Sequence, residues 1–265
     1  MNSLTLLQGS QMPALCLLSG TLGGIIGSFL GVVVERIPPL IKEEAGAGNL
    51  LFPASHCPAC SHTLSWWENI PVLSWCCLRG RCRCCQSAIP LRLLLLELSS
   101  ALFFALTAAY APSAAALMSL WILWCGLLPL AAIDAKHLLL PDCLTQPLLW
   151  AGLLNHAFFH SLPLSDALYG AAAGYLSLWL LYWAFRLTTG REGLGYGDFK
   201  LLAALGAWCG WQALPSLLLA AALSGIALYF VFYKAVKENS VIPFGPLLSL
   251  AGLVIFILQT FQFIF

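Results

Sequence analysis

Charged residues are scarce in this sequence. Asp, Glu, Lys and Arg make up only 9% of its 265 residues, whereas a soluble globular domain contains about 25%. The first charged residue is Glu35, so the chain lacks the basic segment that opens a cleaved secretory signal peptide. The net charge of +1 gives no indication of a nucleic-acid partner. Composition therefore argues against a soluble domain, a cleaved signal peptide and nucleic-acid binding.

Long apolar runs fill most of the chain instead. Hydrophobic residues make up 60% of it, and their runs are long enough for helices to cross a bilayer. The runs do not alternate between polar and apolar residues, which argues against a membrane β-barrel. We therefore expect an all-α, polytopic membrane protein with about eight transmembrane helices and no internal repeat. The predicted spans are residues 14–34, 93–111, 114–133, 143–160, 167–185, 199–213, 214–233 and 243–263.

The basic residues all fall on one face of the membrane if the eight spans are right. They are Arg36, Lys42, Arg79, Arg81, Arg83, Arg92, Lys136, Arg186, Arg191, Lys200, Lys234 and Lys237. The opposite face has a single acid, Asp166. Because basic loops mark the cytoplasmic side, both termini are expected outside. A miscounted span would move the later basic residues to the other face, so their clean separation supports the count.

One loop is large enough to form a domain of its own. Residues 35–92 contain charge, proline and most of the cysteines, and they are predicted to face the cytoplasm. We therefore predict three regions: a first transmembrane helix within 1–34, a cytoplasmic zinc-binding domain at 35–92 and a membrane domain at 93–265.

The cysteines of this loop have the spacing of a metal site. Seven of the eleven cysteines lie between Cys57 and Cys85. Two C-x-x-C hooks, Cys57 with Cys60 and Cys82 with Cys85, could hold one tetrahedral Zn²⁺ with four thiolates. A pair of disulfides is the alternative, but disulfides rarely persist in the reducing cytoplasm. The zinc would be structural, folding a loop too small to build its own core.

The other polar residues near the hooks are weaker ligand candidates. Cys84 lies inside the second hook and could replace Cys82 or Cys85, although the spacing favours the chosen pair. Cys76 and Cys77 are spare thiols with no assigned role. Four thiolates already complete the shell of a zinc ion, so the two flanking histidines are expected beside the metal or in solvent: His56 and His62.

A few acidic residues lie where exposure to solvent does not explain them. Five acids are in predicted loops and are expected to be solvated: Glu35, Glu43, Glu44, Glu68 and Glu238. Glu97 lies one turn inside the second span and is predicted to pair with an Arg or Lys. Three aspartates remain at the edges of apolar segments, where a carboxylate is costly and calls for a functional explanation: Asp134, Asp142 and Asp198.

Helix capping is the alternative explanation for an aspartate at such an edge. Asp142 opens the fourth predicted span, so we predict that it caps that helix. Asp134 directly follows an apolar run and starts no helix, so capping does not explain it. Asp198 follows a turn that contains Gly195 and Gly197, and that turn alone leaves capping and function equally open.

A catalytic pair would account for both Asp134 and Asp198. Two carboxyl groups held close together cannot both ionise easily, so they share one proton. The ionised member can take a proton from water while the protonated member donates to a peptide carbonyl oxygen, which is aspartyl-protease chemistry. Gly195 and Gly197 would let the backbone approach a bound peptide closely. The spacing does not assign the base, and two unrelated interfacial acids are the alternative.

Several separate motifs, in one order along the chain, resemble the bacterial type IV prepilin peptidases. These enzymes, also called type IV leader peptidases, are GxGD aspartyl proteases. The two aspartate motifs are Asp134 with Leu140-Pro141-Asp142, and the run Gly195-Tyr196-Gly197-Asp198-Phe199-Lys200. The other matching segments are residues 27–33, 36–38, 66–71, 78–81 and 243–246, together with the four hook cysteines. The sequence departs from the family at Gly31, where Asn is common, and at the additional thiol of Cys84.

The resemblance implies an activity, a substrate and a location. It implies that Asp134 and Asp198 are the catalytic pair and that they lie near the cytoplasmic face of the bacterial inner membrane. The implied substrates are type IV prepilins or type II secretion pseudopilins, which carry a short basic leader before an apolar helix. Many members also N-methylate the new amino terminus with S-adenosylmethionine, and such members have a large cytoplasmic loop like residues 35–92.

Two alternative functions stay open at this point. The chain could be a peptidase without methyl transfer, because no methyl-donor site follows from the spacing. It could also be a transporter or channel in which Asp134 and Asp198 carry protons or cations, since membrane-embedded acids are common in such proteins. The thiolate hooks and the glycine-rich turn fit a transporter poorly.

Overall fold

The computed structural model describes most of the chain. The described residues are 12–42, 49–50, 52, 54–57, 59–159, 161–191, 193, 195–232 and 243–262. Six residues named above, or within a motif quoted above, lie outside them: Glu43, Glu44, Pro58, Lys234, Lys237 and Glu238. The chain divides into two compact units, Met1–Trp121 and Ile122–Phe265, which are described separately below.

Helices dominate the described residues, as predicted. The α-helices are α1 (Met12–Ile41), α2 (Leu73–Cys77), α3 (Leu91–Tyr110), α4 (Ala114–His137), α5 (Asp142–Phe159), α6 (Leu164–Thr189), α7 (Tyr196–Cys209), α8 (Leu214–Phe232) and α9 (Gly245–Thr260). Two 3₁₀ turns, Trp66–Asn69 and Trp211–Ala213, complete the helical elements of this part of the chain. The all-α prediction is confirmed.

The eight predicted spans each overlap one long helix. Five segments are long and apolar enough to cross a membrane: Met12–Ile41, Leu91–Tyr110, Ala114–His137, Leu164–Thr189 and Trp211–Val231. These segments confirm a multi-pass membrane protein. The number eight stays a prediction, because α7 and α9 contain only 14 and 16 residues. At about 1.5 Å per residue, α7 is shorter than the roughly 30 Å apolar core of a bilayer.

Helices α1 and α3 pack closely in the first unit because glycines face the contact. A Cβ added to Gly23 would lie 2.5 Å from the carbonyl oxygen of Ser100, and one added to Gly27 would lie 2.8 Å from that of Leu96. Small residues four apart let two helix backbones approach closely inside a membrane. The first-span glycines are therefore packing residues against α3.

Two acids of the first unit are placed differently from the prediction. Glu97 of α3 was predicted to pair with an Arg or Lys, but its Oε2 accepts the backbone N–H of Val72 at 2.8 Å. Val72 has φ of +61°, which is strained for a β-branched residue. Glu68 was predicted to be solvated, but it is buried, and its Oε2 accepts the N–H of Ser65 at 2.7 Å. The prediction was wrong for both, because each carboxylate holds a turn of the backbone.

A salt bridge, which was not predicted, also links the last part of α1 to the first turn of α3. Arg92 donates from Nη2 to Oε1 of Glu35 at 2.9 Å, with both side chains partly exposed. Exposed pairs of this kind contribute little to stability. Glu35 is thus a solvated acid, in agreement with the prediction.

Helix α7 is the central helix of the second unit. Every residue from Leu201 to Cys209 is buried, and α5, α6 and α9 pack around it. A helix that is apolar on all sides belongs in a protein core or in a membrane. Gly170 and Gly174 of α6 face the backbone of α7 and allow this close approach. The three neighbouring helices thus enclose a helix of only 14 residues.

The carboxyl end of α7 is held by side chains from two other helices. His156 of α5 donates from Nε2 to the carbonyl oxygen of Trp208 at 2.9 Å, and Gln259 of α9 donates to that of Cys209 at 3.0 Å. Trp208 in turn donates from its indole to the carbonyl oxygen of Leu148 at 2.9 Å. The bonds from His156 and Gln259 satisfy carbonyl groups that have no partner within a helix end.

Candidate functional site

Asp134 lies in the last turn of α4 and is 5% exposed. Its Oδ2 accepts the backbone N–H of Gly245, the first residue of α9, at 2.9 Å. The N–H groups that open a helix have no internal partner, and the helix dipole favours a negative charge there. A Cβ added to Gly245 would lie 2.6 Å from the same carboxylate oxygen. The start of α9 is therefore shaped around the carboxylate of Asp134.

Asp198 lies in the first turn of α7 and is 9% exposed. The N-cap of this helix is Gly195, whose carbonyl oxygen accepts the N–H of Asp198 at 3.2 Å. Asp198 is therefore not the N-cap; it is the third residue of the helix, and its carboxylate accepts a hydrogen bond from the backbone N–H of Gly195, as the acid of a capping box does. Gly197 was predicted to let a bound peptide approach, but a Cβ there would lie 2.7 Å from the Cβ of Leu140. The group that lies close to Gly197 is therefore Leu140 of the same chain.

Asp134 and Asp198 both lie in the second unit. Asp134 is close enough to Asp198 for its charge to act on that carboxyl group. Both side chains are largely removed from solvent, so a second negative charge in the pair would be costly. A pair that holds one proton contains a base and an acid side by side. Such a pair can activate a water molecule and protonate a carbonyl oxygen in the same event.

Asp142, predicted to cap α5, has a different partner. Helix α5 begins at Asp142 itself, and both carboxylate oxygens accept hydrogen bonds from Lys200 of α7, at 2.6 and 2.7 Å. The prediction of a purely local capping role was wrong, because a side chain 58 residues away takes the carboxylate.

The two cysteine hooks have the same backbone structure. In the first, the N–H of Cys57 donates to the carbonyl oxygen of His62, and that of Ser61 donates to the carbonyl oxygen of Cys57. In the second, Cys82 pairs with Ser87 and Gln86 with Cys82 at the same offsets. Ser61 and Gln86 also share a positive φ, of 57° and 59°. This short repeat, which was not predicted, presents each pair of thiols on a tight turn.

The four hook thiols form a cluster that could hold a metal ion. Cys57, Cys60, Cys82 and Cys85 place their Sγ atoms within 4.8 Å of one another. The Sγ separations are 3.7 Å between Cys57 and Cys85 and 3.9 Å between Cys60 and Cys82. Four thiolates bound about 2.3 Å from a tetrahedral zinc ion lie roughly 3.8 Å apart. The spacing of the thiols therefore fits zinc.

Ser87 supports the thiol cluster. Its Oγ lies 3.1 Å from Sγ of Cys85 and 3.5 Å from Sγ of Cys57. The hydrogen bond from Ser87, followed by those from the backbone N–H groups of Ala59 and Cys60, lowers the pKa of the Cys57 thiol to about 6. A thiol must lose its proton to bind a metal ion, so Ser87 favours the form of Cys57 that binds.

The remaining thiols and histidines near the hooks are not part of the cluster. Cys76, Cys77 and Cys84 are exposed, and the four-thiol group does not include them. His56 bonds to the carbonyl oxygen of Ala54, and His62 lies 3.6 Å from Glu68. The structure thus brings together the four cysteines chosen from their spacing.

Comparison with known proteins identifies the family of this chain. The model of the Bacterial Peptidase A24 N-terminal domain matches residues 21–111, and that of the Type IV leader peptidase family matches residues 121–230. A protein of Pectobacterium carotovorum subsp. carotovorum is 46% identical over 263 residues, which is 92% of this chain and 93% of that protein. This chain belongs to the type IV leader peptidase family.

Other relatives agree with this membership of the type IV leader peptidase family. A protein of Stutzerimonas stutzeri is 44% identical, covering 92% of this chain and 90% of its own. A protein of Aeromonas salmonicida (strain A449) is 47% identical, and the match covers 86% of this chain and 85% of that protein. All three relatives are named "Prepilin leader peptidase/N-methyltransferase". No solved structure matches this chain.

Three further residues contact the candidate site residues, and none of them was assigned a site role from the sequence. Gly245 holds Asp134, Ser87 bonds to two thiols and Lys200 binds Asp142. Gly245 and Lys200 lie within motifs that resemble the family, but a motif does not name a partner. Ser87 follows the second hook by two residues, a position where a side chain can reach a metal ligand.

Proposed function

We propose that this protein is an integral-membrane aspartyl endopeptidase. It removes the basic leader peptide from type IV prepilins or from type II secretion pseudopilins. The observation that carries the proposal is the buried pair of Asp134 and Asp198 in a chain of the leader peptidase family. The printed names of the relatives, which include both leader peptidase and N-methyltransferase, support the same substrate class.

The proposed reaction uses the two aspartates as one acid–base unit. The ionised carboxylate takes a proton from water, and the resulting oxygen attacks the carbonyl carbon of the peptide bond that follows the leader. The protonated carboxyl group donates its proton to the carbonyl oxygen. The tetrahedral intermediate then collapses, its C–N bond breaks and the amine leaves with a proton. The two apparent ionisations belong to the pair, so neither residue is assigned alone as the base.

Gly245 contributes to this reaction through Asp134. Its N–H is aimed at Oδ2 of that carboxylate from the start of α9. A hydrogen bond to a charged acceptor is strong and directional. It would hold the carboxylate in one orientation and stabilise Asp134 in whichever step it carries the negative charge.

The location of the pair is proposed to match the topology of the substrate. Basic residues follow the two aspartates closely, Lys136 after Asp134 and Lys200 after Asp198. Basic residues at helix ends favour the cytoplasmic side. The aspartates would then lie near the cytoplasmic face of the bacterial inner membrane, where a leader stays while the following helix enters the bilayer.

The thiol cluster is proposed to bind one structural zinc ion. Cys57, Cys60, Cys82 and Cys85 would supply four thiolates and close the metal's shell. The ion would tie together residues 35–92, between the first helix in 1–34 and the peptidase domain in 93–265. A closed shell leaves no position for a water molecule, so the role of the zinc is to hold the fold.

Methyl transfer is the second proposed activity. S-adenosylmethionine would supply the methyl group for the new amino terminus, and residues 35–92 are the region proposed to support it. The names of the relatives and the size of this loop support the activity. Neutral amine is the nucleophile, so the terminus must lose a proton before the methyl group is transferred.

The peptidase is tested by replacing each aspartate separately with asparagine, which keeps size and removes the charge. Leader removal is assayed in membranes with the full-length protein and a prepilin. Both Asp134→Asn and Asp198→Asn should reduce the rate at least about 100-fold, because general acid–base catalysis supplies that much or more. Asp166→Asn is the matched control, because Asp166 is a half-buried acid that bonds to Gln212, beyond the other end of α7. Normal processing by either aspartate variant would end the proposal, and ion flux in liposomes without cleavage would support a transporter.

Methyl transfer is tested by mass spectrometry of the processed substrate. The amino terminus should gain one methyl group when S-adenosylmethionine is supplied, and none when it is withheld. A bare terminus on fully processed substrate, with the donor present, would leave a peptidase without methyltransferase activity.

A further inference from the structure

Lys200 and Asp142 join the second turn of α7 to the first turn of α5. The ammonium group of Lys200 lies 2.6 and 2.7 Å from the two carboxylate oxygens of Asp142. A single cation that contacts both oxygens restricts the carboxylate more than a one-oxygen contact would. The ion pair therefore fixes where the start of α7 lies against the start of α5.

A second contact, between residues close to Lys200 and Asp142 in the sequence, reinforces this junction. Gly197 faces Leu140 so closely that a Cβ on the glycine would lie 2.7 Å from the Cβ of Leu140. Leu140 lies in the short connection from α4 to α5, and Asp142 is the first residue of α5. The segment from Leu140 to Asp142 is thus attached to the start of α7 at two points.

The attachment of Lys200 also determines the direction in which Asp198 points. Successive residues of an α-helix are about 100° apart around its axis, so Asp198 and Lys200 point in directions roughly 200° apart. Holding Lys200 against Asp142 turns Asp198 away from the start of α5. The carboxylate of Asp198 then lies within the field of Asp134, which is at the end of α4.

The ion pair is better suited to orientation than to stability. The side chains of Lys200 and Asp142 are 31% and 62% exposed, and ion pairs with that much contact with water contribute little to folding. A displacement of about 1 Å at a reacting group, however, can reduce a rate about 100-fold. The main consequence of losing the pair should therefore appear in catalysis.

We propose that Lys200 and Asp142 are positioning residues that, together with the Gly197–Leu140 contact, set the rotation of α7 so that Asp198 faces Asp134. This inference rests on the proposed function of the aspartate pair. Neither residue contacts the attacking water molecule or the peptide. Both act only by setting the direction in which the Asp198 carboxylate points.

The kinetic test compares Lys200→Met, Asp142→Asn and the double variant in the full-length protein. Each single variant should lower kcat about tenfold or more, because of misalignment, with KM for a prepilin unchanged. The double variant should be no worse than either single one, since all three break the same ion pair. Lys200→Arg should recover most of the lost kcat because it retains the cation.

The control for this comparison is Asp166→Asn, which weakens an exposed contact with Gln212 at the other end of α7. Its kcat should equal that of the parent protein. The melting temperatures of all variants are measured, and those of the ion-pair variants should stay close to the parent value. Unchanged kcat in both single variants, or losses that multiply in the double variant, would overturn the proposal. A loss of kcat that only follows a lower melting temperature would do the same.

A distance measurement separates this inference from the proposed function. Asp134→Cys and Asp198→Cys are combined in a chain that also carries Cys143→Ser, and a short thiol cross-linker is added. The peptide that links positions 134 and 198 is quantified by mass spectrometry with and without Lys200→Met. Its yield should fall when the ion pair is lost, and an equal yield would refute the positioning role. This readout does not depend on cleavage, whereas normal processing by Asp198→Asn would refute the proposed function alone.

Discussion

Gly245 donates its backbone N–H to Oδ2 of Asp134 at 2.9 Å, although 111 residues separate the two. The bond places the amino end of α9 against the carboxyl end of α4. It leaves no room for a side chain at position 245, where a Cβ would lie 2.6 Å from the carboxylate. A single methyl group at this position should therefore disturb the proposed catalytic pair directly.

We predict that Gly245→Ala lowers the rate of leader removal at least about 100-fold, because the added methyl group would displace the carboxylate of Asp134 by about 1 Å. The rate is measured in membranes and divided by the amount of folded protein. The control is Gly24→Ala in α1, where a Cβ would meet its nearest neighbour, Pro71, at 3.6 Å. Equal rates for Gly245→Ala and the parent would contradict the assigned contact.

Metal analysis checks the thiol cluster. The purified protein should contain about one zinc ion per chain. Cys57→Ser with Cys60→Ser should remove it, because two of the four thiolates are lost. Cys76→Ser with Cys77→Ser should retain it, since those thiols are exposed and outside the cluster. Unchanged zinc content in the first variant would refute the ligand assignment.

Ser87→Ala should weaken zinc binding without abolishing it. The hydroxyl of Ser87 bonds to Cys85 and lies near Cys57, and loss of a group that supports a metal ligand typically costs about 10- to 100-fold in affinity. Competition with a coloured zinc chelator measures the change. Ser74→Ala, in α2 and outside both hooks, serves as the control. An unchanged affinity in Ser87→Ala would show that its hydrogen bonds do not matter to the thiolates.

His156→Phe should destabilise the protein without misaligning the aspartates. The variant loses the bond to the carbonyl oxygen of Trp208, and an unsatisfied buried carbonyl group costs about 1–3 kcal/mol. Thermal unfolding should shift to a lower temperature, while kcat per folded molecule stays unchanged, because His156 meets the end of α7 opposite Asp198. Trp150→Phe is the control on the same helix, since that side chain is 60% exposed. A large fall in kcat would contradict this separation of roles.

The amino-acid sequence predicts the parts of the molecule that depend on local pattern. Apolar runs are long enough to locate the helices, and the spacing of Cys57, Cys60, Cys82 and Cys85 selects the thiols that cluster. The edges of two apolar runs point to Asp134 and Asp198. Each of these signals lies within a few residues, where helix period or ligand spacing determines the outcome.

The partners of individual side chains were much harder to predict. Asp142 has every local feature of a helix cap, but a cation on another helix binds it. Glu97 was predicted to bind a cation because it lies in an apolar helix, and the backbone of a strained turn at Val72 binds it instead. Both errors have one cause, since tertiary contacts decide between partners that sequence alone leaves equivalent.

Glu68 is an error that the sequence could have prevented. Ser65 and Glu68 have the spacing of a capping box, in which the serine and the acid each bond to the other's backbone. That pattern favours a carboxylate that bonds to the backbone over a solvated one. Hydrogen bonding to Ser65, ahead of the opposing effect of burial, lowers the pKa of Glu68.

The matching turns of the two cysteine hooks have a consequence for metal loss. Each turn is closed by its own backbone hydrogen bonds. Each hook can therefore keep its backbone structure when its thiols bind no metal ion. A zinc ion held by both hooks would then join two turns that are already formed, and a chelator should separate the two turns before either one unfolds.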